Sequence, residues 1–172
     1  EGNRYRLGGA VVWRPTDRIT MSLDGRYTTQ DGWLLHRGGT SFATFNANQW
    51  SPSLGVDYFV SAKQHLRLAV QWVAIRAKEN IRYELLIPGA PLTVDEDSSA
   101  SAGSNFSISR VNVQLRYRWE IAPLSDLFVV YTQNASLPSS TDRLGFASMF
   151  SETFDNPLAE QLVVKLRYRF GS

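Results

Sequence analysis

The chain writes one pattern twice. "SRVNVQLRYRW" closes on Trp119 and "EQLVVKLRYRF" closes on Phe170. In the first, Val111, Val113, Leu115, Tyr117 and Trp119 share one parity, and Arg110, Asn112, Gln114, Arg116 and Arg118 share the other. In the second, Leu162, Val164, Leu166, Tyr168 and Phe170 alternate with Gln161, Lys165, Arg167 and Arg169, with Val163 the exception. Side chains of a strand point to opposite faces in turn, so both stretches are expected to be strands with an apolar face and a basic face. A helix would scatter both sets around its circumference.

The same period recurs along the chain. It is legible in "YRLGGAVVW" (5–13), "ITMSLDGRY" (19–27), "LGVDYFV" (54–60) and "HLRLAVQWVAIRA" (65–77), the last running on towards "IRYELL". "LFVVYTQ" (127–133) is apolar at both parities, so its faces stay unassigned. "RPTDR", "SAKQ" and "APLSD" read as short turns. Three stretches read as long connections: 28–53, which is rich in turn residues and partly able to extend its flanking strands, then 88–105, and about 136–156. The expectation is an all-β antiparallel meander of about seven strands, with tight turns at one end and long loops at the other.

That sorting of loops is a habit of transmembrane barrels, and the composition permits one. A mean hydropathy of -0.24 without a long apolar run excludes membrane-spanning helices, but barrel strands are only moderately apolar. A soluble sandwich or small barrel would put the apolar face inward. The aromatic residues favour the membrane alternative: Trp13, Tyr117, Trp119, Tyr168 and Phe170 lie on the apolar face near strand ends, as an interfacial aromatic girdle would. The absence of cysteine fits either setting. "EGNRYRLGG" lacks the apolar core of a signal peptide, so the chain is expected to be mature or a fragment. Seven is odd for a single-chain barrel, and the last strand should descend to the periplasm, so the first descends too. Residues 1–172 are therefore expected to form the C-terminal part of a larger barrel, completed by missing N-terminal strands or by a partner chain.

"QLRYRWEIAPLSDLFVVYTQN", "DGWLLHRGG", "SAKQHLRLAVQWVAI" and "EQLVVKLRYRFGS" resemble the C-terminal barrel region of bacterial outer-membrane proteins labelled carbohydrate-binding family 9-like domain-containing. In those proteins a periplasmic β-sandwich precedes a barrel domain of unknown function. The resemblance covers most of the chain. It implies an outer-membrane address, contact with outer-membrane lipid and lipopolysaccharide, and insertion by the barrel-assembly machinery. Tyr168 and Phe170 match the aromatic assembly signal of a last strand. Phe170 is not the terminal residue, however, and Lys165 stands where glycine is common.

Parity assigns Arg4, Arg6, Arg14, Arg26, Arg67, Arg110, Arg116, Arg118, Lys165, Arg167 and Arg169 to the polar face, against Asp24, Asp57 and Glu120. Of these, Arg110, Arg116, Arg118, Lys165, Arg167 and Arg169 are expected to form a basic belt in the lumen. Such a belt favours anions, or else each arginine finds a carboxylate on another strand or a plug. The loops are more acidic, at Asp95 to Asp97, Asp142, Glu152 and Asp155. The "DEDSS" carboxylates could hold a divalent cation, but a solvated loop is expected. His36 and His65 fall at opposite ends of their strands, and no hydrolase, metalloprotease or nucleotide motif occurs, so no catalysis, cofactor or metal is expected. Nor is nucleic acid, since no aromatic stacking set accompanies the arginines. Two functions remain: a channel or transporter for small anionic or saccharide-like solutes, and a structural or docking barrel that anchors a periplasmic domain or displays loops to a partner.

Overall fold

The computed structural model describes residues 2–95, 105–139 and 144–170. The "DEDSS" stretch beyond Asp95, Asp142, and residues 171–172 lie outside them. Strand β1 (Arg4–Thr16) turns into β2 (Ile19–Gly38), followed by β3 (Ser41–Trp50), β4 (Ser53–Ser61) and β5 (Gln64–Glu84). Then come the two-residue β6 (Thr93–Val94), β7 (Phe106–Ala122), β8 (Ser125–Ser139), helix α1 (Phe146–Asp155) and β9 (Pro157–Arg167).

All the pairings are antiparallel. β3 and β4 are two halves of one line. Both pair with β2 and β5, and the break falls at Pro52, which has no N–H to give the ladder. Across it the Ser51 N–H still donates to the Arg26 carbonyl, and the Pro52 carbonyl accepts from Trp72 N–H. With β6 a short addition to the end of β5, the sheet has seven strand lines, ordered β1, β2, β3/β4, β5, β7, β8, β9. β1 pairs only with β2, and β9 only with β8, so the described sheet is open at both edges.

The turns at one end of the sheet, called lower here, are all tight: residues 17–18, 62–63 and 123–124. At the upper end β5 and β7 are separated by residues 85–105 and β8 and β9 by residues 140–156, while the long connection expected at 28–53 is absent from the described residues. β2 is 20 residues long and returns through a two-residue turn after Gly38. Gly38 and Gly39 have φ of 120° and 57°, which side-chain-bearing residues rarely adopt. "QDG" reads as a turn but is a bulge. The β2–β3 register slips between Gln30 and Trp33, and Gly32 takes φ 68° there. With a partner strand on each side, the polar residues of this stretch complete a ladder and do not loop out.

Two further expectations change. β8 runs to Ser139, and the following connection contains α1, whose Phe146, Met149, Phe150, Thr153 and Phe154 recur at helical spacing. β9 ends at Arg167, so Tyr168 and Phe170 lie just past it, their rings 4.9 Å apart. The Arg169 N–H still reaches Ser125 Oγ at 3.1 Å.

Candidate functional site

Because paired residues share a face, the register sorts every side chain. One row crosses all seven lines: Trp13, Met21, Val56, Leu68, Leu115, Tyr131 and Leu162. The row below contains Ile19, Tyr58, Leu66, Tyr117, Val129 and Val164. One residue away along the strands, on the opposite face, the row reads Thr20, Asp57, Arg67, Arg116, Val130 and Val163. Below that lie His65, Arg118, Phe128 and Lys165.

The sheet curls towards the face that carries Arg116. Trp33 on β2 and Phe106 on β7 project from that face at the upper end, and their ring centroids are 6.1 Å apart. Three strand spacings separate them, about 14 Å on a flat sheet. Only a concave surface brings them together. The apolar rows are thus on the convex, outer side.

At the lower end the concave side holds a cavity of about 430 Å³ lined by His65, Arg67, Gln114, Arg116, Arg118 and Phe128, among others. Two carboxylates organise it. Asp126 is 1% exposed and sits between two arginines. Arg118 Nε and Nη2 are each 3.0 Å from its Oδ1, and Arg167 holds Oδ2. The Arg118 guanidinium also lies 6.0 Å from the centre of the Phe128 ring. Asp57 Oδ1 meets His65 Nε2 at 3.1 Å and Arg67 Nε at 3.5 Å. His65 in turn stacks on Phe59 at 4.4 Å.

Arg116 stands directly opposite Arg67 in the register. Like charges so placed repel. Among the described residues Arg116 has no ion pair or side-chain hydrogen bond, and the same holds for Arg110 and Lys165. The six expected belt residues therefore divide. Arg118 and Arg167 are tied to one buried carboxylate, while Arg110, Arg116 and Lys165 present their charge to the concave face. Arg169 lies beyond the strand. Asp126 escaped sequence reading because it opens a strand that is apolar at both parities. Its register, opposite Glu120 and next to Arg167, places it on the basic face. A carboxylate beside a tight turn, two residues before an inward Phe128, was the available signal.

Of the expected aromatic girdle, Trp13, Tyr117 and Trp119 lie on the convex face but in three rows, Trp13 with Leu115, Tyr117 one row lower, and Trp119 with Leu127 and Leu166 lower still, while Tyr168 and Phe170 lie past the end of β9. Val111 and Val113, expected to be fully outward-facing, are instead covered. They are 2% and 9% exposed, with Phe150 of α1 packed against their cluster. The histidines stay apart: His36 Nε2 contacts the Gly39 carbonyl in the upper turn, while His65 is at the lower end.

The Asp126 clamp gives a direct prediction. Asp126→Asn removes the one charge that separates Arg118 from Arg167, so the yield of folded protein and its resistance to heat should fall. Arg116→Gln breaks no contact and should assemble normally. Thermal unfolding and the yield of folded protein check both, and equal values would remove the structural role of the clamp.

No curated protein and no solved structure matches the chain. The model of one family matches residues 2–170, nearly its whole length, and the chain belongs to that family, a domain of unknown function (DUF5916).

Proposed function

We propose that this chain is a wall section of a bacterial outer-membrane β-barrel, and that its concave basic face selects small anionic solutes, among them acidic saccharides, in a channel or transporter. The observation that carries the reading is the pairing of two adjacent rows. The convex row from Trp13 to Leu162 is uncharged across all seven lines, and the neighbouring concave row centres on Arg67 and Arg116. A soluble barrel has the opposite arrangement, with its polar side chains on the convex side. The open edges at β1 and β9 pair, on this reading, with further strands of the same barrel or of a partner chain. The resemblance to carbohydrate-binding family 9-like outer-membrane proteins points the same way. Lipid and lipopolysaccharide are then the outer partners, and the barrel-assembly machinery the inserting one.

The solute reading rests on charge that no described carboxylate neutralises. Guanidinium groups offer several donors and keep their charge at any physiological pH. In planar bilayers, the natural full-length protein should conduct with anion preference. Arg110→Gln combined with Arg116→Gln should move the reversal potential towards cations. The difference should shrink as salt rises, because screening at physiological ionic strength acts over about 8 Å. The paired arginines favour a second reading, a docking or anchoring barrel, since Asp57 and Asp126 engage three of the arginines and His65 locally. A well-assembled double variant with an unchanged reversal potential would favour that reading over the channel.

A further inference from the structure

We infer that only the lower half of this wall lies in the bilayer, and that its upper half stands in water with an aromatic core sealing its concave side. The inference rests on the membrane reading above and adds where the membrane ends.

The strands are longer than a bilayer needs. β2 has 20 residues and β5 has 21, where about 9–11 suffice to cross the hydrocarbon layer. Midway along them the two faces exchange character. On the convex face of β7 the apolar run from Trp119 to Val111 ends, and Ser109 and Ser107 follow, both buried, with the Ser109 hydroxyl donating to the Met149 carbonyl of α1. On β5 Leu66, Leu68, Val70, Trp72 and Ala74 give way to Arg76 and Lys78. The upper convex row reads Tyr5, Thr29, Asn48, Arg76, Ser107 and Ser139. Beyond Tyr5 that row holds no apolar residue, and its Arg76 guanidinium lies 5.7 Å from the centre of the Phe146 ring, under α1 and not open to lipid.

The concave side does the reverse. One residue away, the row holds Gln30, Ala47, Ala77 and Phe106. Phe45, Ala43 and Ala77 are 0% exposed, with Trp33, Leu35 and Phe106 packed on them. On β3 the alternation is complete: Phe45 and Ala47 are buried, and Asn46 and Asn48 exposed. Apolar side chains inward and polar ones outward is the pattern of a wall in water. The opposite pattern, lower on the same strands, is that of a wall in lipid.

Helix α1 lies across the change. Met149 and Thr153 are buried on the wall, Trp72 meets the Phe150 ring at 5.2 Å, and Trp72 Nε1 donates to Ser109 Oγ. Ser148, Ser151, Glu152 and Asp155 are exposed. Carboxylates on its outer side set the lipid boundary on β5 to β8 at the level of the helix.

The test uses single cysteines on the convex face of the β3/β4 line: Leu54→Cys in the lower half and Asn46→Cys in the upper, in the full-length protein reconstituted in vesicles. Each carries a nitroxide label, whose accessibility to oxygen and to a water-soluble nickel complex is compared. The expected result is a change of sign in the depth parameter: oxygen dominates at position 54 and nickel at position 46. If oxygen dominates at both, the bilayer covers the whole wall and the inference is overturned while the membrane reading stands. If nickel dominates at both, the membrane reading itself fails, and this inference with it.

Discussion

Phe45→Ala is expected to lose about 3–5 kcal/mol of folding stability, the usual range for removing a fully buried phenylalanine. The site leaves little room for recovery. Phe45 is 0% exposed and meets the Phe106 ring edge-on at 5.2 Å. The Arg37 guanidinium lies over the Phe45 ring, 5.6 Å from its centre. The neighbours that line its pocket include Ala43, Ala47 and Ala77, side chains too short to move into a vacated volume. The cavity would therefore persist, and the cost should stay near the upper part of the range. Urea unfolding of the full-length protein in detergent or thin bilayers measures it, and Leu7→Ala supplies the control, since Leu7 is 75% exposed on the outer edge strand. Equal losses from the two variants would mean that the upper concave face is not a packed core.

Much of this fold can be read from the residues, and the failures share a cause. Parity located six of the seven lines because a side-chain period of two survives in any strand with dissimilar faces, and β8 was read from its apolar run between turn signals. It separated Leu115 from Arg116 correctly across the register. Parity says nothing where the faces exchange character. On β2 and β3 the inward side chains become Trp33, Leu35, Ala43 and Phe45, and the outward ones Asn46 and Asn48, so the stretch looked like a polar loop. A bulge at Gly32 then shifted the phase and hid the continuity. β8 posed the related problem. Phe128 and Val130 are apolar on the basic face, so no contrast marked Asp126 as an inward carboxylate. The candidate site was legible as a set of arginines, but their division into clamped and unclamped members depends on which strand lies next to which. The length of the β5–β7 connection gives no hint of that register.

On the proposed membrane reading, Leu115→Arg should destabilise the fold by about 2–4 kcal/mol if the residue lies near the bilayer midplane, as a charge on the lipid face of a membrane strand does. Its row crosses all seven strand lines, and its neighbours there are Leu68 and Tyr131. The row itself holds no carboxylate, and Glu160, one row away, already accepts from the Tyr131 hydroxyl at 2.8 Å, so the new guanidinium must shed its hydration, draw Glu160 away from Tyr131 or pull the wall out of register. Gln114→Arg, one residue away on the same strand, is the informative comparison. Gln114 faces the concave side with Ala69 and Thr132 beside it, lines the basic cavity, and there an added arginine keeps its water. The two substitutions add the same charge to the same strand, so folding differences between them report orientation alone. Unfolding in phospholipid bilayers should show Leu115→Arg clearly weakened and Gln114→Arg close to the parent. The reverse order would place Leu115 in the lumen and turn the wall inside out. Equal, small effects would mean that neither face meets hydrocarbon, and the apolar row would then have to be covered by protein.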